Sequence, residues 1–454
     1  MKPRFNKGLI YTVVSALIII LGAYIAIRYA QGGFRVTDQG ISQGTGLLSA
    51  NSFPTGAEVY VDGKLVAATD DTLYLEPGQY SVEIKRDGYN SWLKNISIEE
   101  ALVAQTNARL FPIAPSLTPL TFTGVQNIYP SPDGTKIVYY AASASAERKN
   151  GLYVLQLSDS PLSFQQGSKQ IAANAAGFDL ASAKFIWSPD STEIMMIAED
   201  RQVMLQTDRL QNLESLPDIF PTRRQILTEW EREMFIREQQ YLEQFPPEVI
   251  EIAIKSAKNA YLSPDKKRLM YTATQSAVVP DTIVPPIPAT NTQPEERQLA
   301  VGGIYIYDRE EDKNFRIGSE ASDSGLVNQP NKQLLVNSLG ASITSLNDFN
   351  TDASNSAFTT LQASEAAQTA DNFRLYHSSM YTNTFQWYPD SRHLFYVEDN
   401  SIKVMEYDGT NITSLYSGPF DKFFVYPWPD GNRLIIKTLF SLSAPDNLYT
   451  LELR

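Results

Sequence analysis

An all-β fold behind a single N-terminal apolar helix is what this 454-residue sequence predicts, and three observations predict it. A run of 20 residues without a charge, Gly8 to Ile27, follows a basic start. Short alternating strands broken by turn signals fill Leu47 to Phe111. Five Pro-Asp turns, each followed by three apolar residues, recur from Asp133 to the C-terminal end.

The length exceeds what one ordinary core supports, so two or three domains are expected. Aromatics at 11%, with 24 Tyr and 21 Phe, suit pleated strands, and 26 Pro with 24 Gly supply turns. There is no cysteine, which excludes disulfides, thiolate metal sites and cysteine nucleophiles. With only His377 and His393, a multi-histidine metal site is excluded too. Five of the 38 basic residues lie in the first 35 positions, which hold no acid, so the remainder sets 33 basic against 51 acidic residues. That surface repels phosphate backbones, and nucleic acid is not an expected partner.

At 1.5 Å per residue the uncharged run crosses roughly 30 Å, the thickness of a hydrocarbon core. Lys2, Arg4 and Lys7 before it keep the N-terminus cytoplasmic and send the bulk of the chain outward. A cleaved signal peptide shares this pattern, but the apolar run is longer than a signal core, so residues 1–30 are expected to be a cytoplasmic tip and an uncleaved transmembrane helix. Residues 31–46, rich in Gly and Gln, read as a flexible tether. Gly40-Ile41-Ser42-Gln43-Gly44 has the spacing of a nucleophile elbow without the strand and helix that an elbow needs.

From 47 to 112 the landmarks become specific: Pro54-Thr55-Gly56-Ala57, Val59-Tyr60-Val61-Asp62-Gly63, Leu75-Glu76-Pro77-Gly78-Gln79-Tyr80 and Gly88-Tyr89. Asp62-Gly63 between strands predicts a type I′ hairpin. In this order the landmarks resemble a PEGA domain, with Ala68-Thr69-Asp70 departing from the usual Gly-x-Thr-Pro stretch. The resemblance implies a small β-sandwich of bacterial envelope proteins with no catalytic residue.

The five turns centre on Asp133, Asp190, Asp265, Asp390 and Asp430, spaced by 57, 75, 125 and 40 residues. Four residues after each Asp stands Ile137, Ile194, Leu269, Leu394 or Leu434, and the next two are also apolar. The residue three after the Asp is polar: Lys136, Glu193, Arg268, His393 or Arg433. A polar turn followed by a continuous apolar run is what a strand buried on both faces needs, and each Asp can cap the free amides of its turn. Several strands per unit, repeated, predict a β-propeller. The segments resemble the Pro-Asp repeats of TolB-like propellers, which implies an irregular ring of six or seven blades over 113–454. The chain ends on a strand, Asn447 to Leu453, and the β-prone stretch Leu120-Thr121-Phe122-Thr123 is expected to pair with it and close the ring.

Two kinds of insertion interrupt the repeats. Residues 221–258 turn helical, with Leu227, Trp230, Met234 and Tyr241 near one face. That face either packs back on the blades or meets a partner, which makes those four residues the candidate partner-binding set. Loops are expected at 277–300, rich in Pro, and at 321–372, polar and weakly patterned.

Other candidate chemistry is thin. Asp348, Asn350 and Asp352 have the spacing that opens a calcium loop, yet Ala353 replaces its Gly and Thr359 its bidentate Glu. Trp187, Trp387 and Trp428 cluster at the Pro-Asp turns, where packing between blades outweighs sugar stacking. His393, at a polar repeat position, is expected at an exposed strand edge. No cofactor is implied. The leading expectation is a non-catalytic, membrane-anchored extracytoplasmic scaffold or receptor for another envelope protein. A cell-wall glycan-binding surface protein is the alternative, and a propeller glycosidase comes third.

Overall fold

The computed structural model describes residues 7–454 apart from 31–33, 38–39, 44, 144, 158–166, 199–200, 282–290, 321–384 and 439–444. The chain divides into two compact units, one of residues 1–113 with 286–294, the other of 114–285 with 295–454.

In the first unit the uncharged run lies on one helix, Lys7–Ala30 (α1). Side chains around its whole circumference, Leu17 through Leu21 among them, are exposed. Among the described residues no helix is long and apolar enough to cross a membrane. The expected tether contains a hairpin, Phe34–Thr37 paired with Gly40–Gln43. Phe34, Val36 and Ile41 alternate with polar residues there, a short period-2 signal that the flanking Gly and Gln obscure. Ser42 sits within a strand, opposite Arg35.

The sandwich follows. One sheet has the order Lys64–Ala68, Glu58–Val61, Gly78–Lys85, Trp92–Ile98, and the other has Val103–Gln105, Gly46–Ala50, Asp71–Leu75. Leu48 and Ala50 of the second sheet meet Val59, Val82, Ile84, Trp92 and Ile96 of the first in one buried core. Asp62 and Gly63 both have positive φ, as the type I′ turn requires. Where the PEGA-like pattern departs, Thr69 is buried and its Oγ1 accepts the Ala57 N–H at 3.0 Å and meets Ser52 Oγ at 2.7 Å. The substitution therefore keeps its loop pinned by a side chain.

The second unit holds six antiparallel sheets among the described residues: five of three or four strands, against the six or seven blades expected, and the short pair Ala277–Val278 with Gln298–Leu299 inside the expected loop 277–300. In chain order the first blade is Gln126–Pro130, Lys136–Ala141, Gly151–Gln156 and Ser168–Ala173. The second has three strands, Lys184–Trp187, Glu193–Ile197 and Gln202–Gln206. The third is Ala257–Leu262, Arg268–Ala273, Gly303–Asp308 and Lys313–Ser319, and the fourth is Gln386–Trp387, His393–Glu398, Ser401–Glu406 and Thr413–Tyr416. The fifth combines Val425–Pro427, Arg433–Thr438 and Asn447–Glu452 with Leu117–Pro119 from the start of the unit.

The ends of the unit thus share one blade, with Leu117, Thr118 and Pro119 opposite Leu451, Thr450 and Tyr449. The ladder lies three residues before the expected stretch. At the start of the expected stretch the Leu120 and Thr121 N–H groups both donate to the Leu448 carbonyl, at 2.8 and 3.3 Å, and Thr121 Oγ1 accepts the Leu448 N–H at 2.9 Å, after which Gly124, at positive φ, turns the chain into the first blade. Of the residues expected in the core after each turn, all but the half-buried Tyr396 are buried.

Candidate functional site

The five Pro-Asp turns have one construction. The N–H of the residue after the Asp bonds the carbonyl two residues before it, from Gly134 to Ser131, Ser191 to Ser188, Lys266 to Ser263, Ser391 to Tyr388 and Gly431 to Trp428. Proline supplies the fixed φ of the first central position. The residue after the Asp has positive φ in all five, although it is Gly only in the first and last. The Asp carboxylate accepts the amide two residues on: Thr135, Thr192, Lys267, Arg392 or Asn432. In the first three turns it also takes a hydroxyl bond, each at 2.6 Å, from Ser131, Ser188 or Ser263. The Ser188 bond, assisted by Thr192, holds the Asp190 carboxyl below the usual range against the opposing effect of burial. At Asp133 burial is the largest influence and acts upward, but the bonds from Ser131, Thr135 and Ser191 together carry the carboxyl lower. Asp133, Asp190, Asp265, Asp390 and Asp430 are therefore occupied inside their own turns.

In the first and third turns the polar residue three after the Asp joins blades, a role its sequence position did not disclose. Lys136 Nζ donates to the Ser191 carbonyl of the second blade at 2.7 Å, and Arg268 Nη1 donates to the Ser391 carbonyl of the fourth at 3.1 Å. Ser391 Oγ also accepts the Asp265 N–H at 2.9 Å. Arg268 is buried, with Nε 2.7 Å from Asp308 Oδ2 in an ion pair off hydrogen-bond alignment, and its guanidinium lies 4.1 Å from the Tyr407 ring centre. Between the fourth and fifth blades the buried Tyr388 hydroxyl bonds the Gly431 carbonyl. Between the fifth and first, Phe424, Tyr426 and Trp428 share a core with Ile137, Tyr139 and Leu155.

His393 is the exception to its expected place. It is buried, with Nδ1 2.8 Å from Asp390 Oδ2, because the turn carboxylate satisfies the ring and Tyr388 packs edge-on against it. The tryptophans also divide. Trp187 is buried between the first two blades and donates Nε1–H to the Tyr129 carbonyl at 3.1 Å. Trp387 is partly buried where the third and fourth blades meet. Trp428 is buried one position later in the repeat, where the first three turns carry Ser, with Arg433 stacked 4.0 Å from its ring centre.

The helical insertion fills the remaining seam. It forms Arg223–Leu242 (α2) and Pro247–Lys255 (α3). Leu227 and Met234 are buried against Ile186 and Met195 of the second blade, with Trp230 partly buried in the same cluster. Leu242, Phe245, Val249 and Ala253 pack on Leu269, Tyr271, Tyr305 and Tyr307 of the third. Arg237 donates to the Pro189 carbonyl at 3.2 Å, and the Lys266 ammonium lies 5.4 Å from the ring centre of half-buried Tyr241. The candidate partner face is thus spent on the blades: Leu227, Trp230, Met234 and Tyr241 wedge the second and third blades together. Asp348, Asn350 and Asp352, like His377, lie outside the described residues. Among the described residues no group of three acidic, His or Cys side chains is placed to hold a metal.

With this geometry in place, the sandwich can be compared with known proteins. Residues 45–113 match the PEGA domain. The PEGA match spans both sheets of the sandwich and the parallel pair of Ala108–Arg109 with Ser52–Phe53. No curated protein matches the chain. Among solved structures it is similar to a putative TolB from Agrobacterium tumefaciens, at 10% identity and a TM-score of 0.21, covering 74% of this chain and 83% of that one. It is also similar to TolB from Acinetobacter baumannii, at 10% identity and a TM-score of 0.21, covering 82% and 59%. An oligogalacturonate lyase in complex with manganese shows 10% identity and a TM-score of 0.21, covering 90% and 91%. Scores this low carry no weight, and the propeller reading rests on strand order and blade seams.

Proposed function

We propose that this chain is a single-pass, membrane-anchored, extracytoplasmic scaffold or receptor that binds another protein of the cell envelope and catalyses no reaction. The observation that carries the reading is α1 followed, after one short hairpin, by the PEGA-matching sandwich. A helix whose described side chains are apolar and exposed on every side fits a bilayer better than water, and the basic start orients it with the folded units outside. A non-catalytic role is supported by the turn carboxylates, which are engaged by their own Ser, Thr and backbone partners. The glycan reading has less support, because Trp187 and Trp428 are buried in blade seams, away from any sugar.

Protease added to intact spheroplasts is expected to digest the chain beyond about Phe34 while the mature N-terminus stays at Met1 or Lys2. A mature chain beginning near Gln31 contradicts the anchor. Cross-linking in intact cells should join the exterior units to an envelope protein, and recovery of only cytoplasmic partners contradicts the placement.

A further inference from the structure

The second sheet of the sandwich carries an apolar row on its outer face. Leu48 and Ala50 of its central strand are buried in the core, where Ala104, Leu73 and Leu75 of the flanking strands join them. Strand alternation puts their neighbours Leu47, Val103 and Tyr74 on the opposite face. Register sets these three side by side across the sheet, Val103 against Leu47 and Leu47 against Tyr74. Val103 is 46% exposed and Tyr74 57%, with Leu47 half-buried between them. The next row on that face is polar: Gln105, Ser49 and Thr72. The apolar row therefore lies at one end of the sheet, the end where Gly46 brings the chain in.

Chain length decides what lies near that end. Fully extended, the chain from Ala30, the last residue of α1, to Leu47 would reach roughly 60 Å. The hairpin shortens it, because Phe34 is paired with Gln43, which brings the two to about 5 Å. The greatest reach falls to about 35 Å. In the anchored reading Ala30 stands at the outer surface of the bilayer, so the entry end is the part of the sandwich held nearest to lipid. Tyrosine and leucine beside polar neighbours suit the headgroup boundary. Exposed Glu99 and Glu100 stand at the same end, where the Ala101 N–H donates to the Thr45 carbonyl at 3.3 Å, and they favour neutral headgroups over anionic ones.

We propose that Leu47, Tyr74 and Val103 form a lipid contact, which seats the entry end of the sandwich on the neutral headgroups of the bilayer that α1 spans. The inference rests on the anchored reading. Three side chains do not hold a free domain on lipid, but the anchor keeps them at high effective concentration, so a weak contact suffices. The sandwich is then seated on the membrane and does not swing on a tether.

The test uses the full-length chain in phosphatidylcholine nanodiscs. Since the chain has no cysteine, a single introduced cysteine carries a fluorescent dye at one position only. Lipid bearing a nitroxide near its headgroup should quench Val103→Cys roughly threefold more than Leu65→Cys, an exposed position on the other sheet. Tyr74→Cys reads the same row if Val103→Cys folds poorly. Adding Tyr74→Ser to Val103→Cys should lower the quenching about twofold, a loss that a dye inserting by itself would not show. Ile19→Cys, within α1, reads the anchor separately through nitroxide placed deep in the acyl chains. If Ile19→Cys is quenched while Val103→Cys only matches Leu65→Cys, the anchor stands and the lipid contact is overturned. Quenching unchanged by Tyr74→Ser, or strengthened when phosphatidylglycerol replaces part of the lipid, overturns it too. An unquenched Ile19→Cys overturns the anchored reading and the contact with it.

Discussion

The seam between the third and fourth blades and the seam between the second and third join the same kind of sheet by opposite means. At the first, Arg268 reaches from one Pro-Asp turn to the Ser391 carbonyl of the next, over a core shared by Met270, Ile306, Phe315, Leu394 and Met405. At the second, each sheet has its own core against a helix, and the turn contacts come from α2 through Arg237 and Tyr241. In the first three blades the residue three after the Asp follows this difference. It is Lys136 or Arg268 where the next neighbour is a blade, and Glu193, bonded within its own sheet to Gln206, where the neighbour is a helix. What this teaches is that the Pro-Asp turn builds the blade, whereas in the first three blades that one position differs with what the blade sits beside.

The comparison breaks most sharply at Arg268. Arg268→Met leaves Asp308, wholly inaccessible to solvent, without its counter-charge and should cost about 3–5 kcal/mol by denaturant unfolding. A loss under about 1 kcal/mol would mean that the apolar core alone holds that seam. Met234→Ala should cost less, about 2 kcal/mol, because a helix packed on one sheet can settle into the space. Its effect on hydrogen exchange should stay within α2 and the second blade. An equal loss at both positions would make the two seams energetically alike.

The smallest expected effect concerns acid. The Asp190 carboxyl is held below its ordinary value in the folded chain, so its contribution is present above about pH 4 and is lost as pH falls through the lowered value. Asp190→Asn should therefore lower the urea midpoint slightly at pH 7 and leave it unchanged near pH 2. A variant equally weakened at both pH values would assign the turn's stability to its backbone alone.

How much of this was legible in sequence depended on the range of the cause. The turns, the apolar triplet after each and the Asp62-Gly63 hairpin follow from local backbone chemistry, and all were readable. The inward side of the insertion was legible as the Leu227 and Met234 face, but not the seam it would fill, since nothing local to α2 names its neighbours. His393 was misplaced because a polar residue in a strand reads as exposed until its carboxylate partner, three residues away, is seen to satisfy the buried ring. The link from Lys136 to Ser191 spans 55 residues and leaves no periodic trace in either segment.

The central claim is that the second unit is one ring, closed where Leu117–Pro119 pairs with the C-terminal strand. Deleting residues from Asn447 onward and following hydrogen exchange across the rest tests it most directly. The account predicts that Ile137–Tyr139 of the first blade and Leu394–Phe395 of the fourth lose protection together, as parts of one cooperative structure. A truncated chain in which the first and second blades stay protected and survive proteolysis as a stable fragment would contradict it and leave the sheets as an open array.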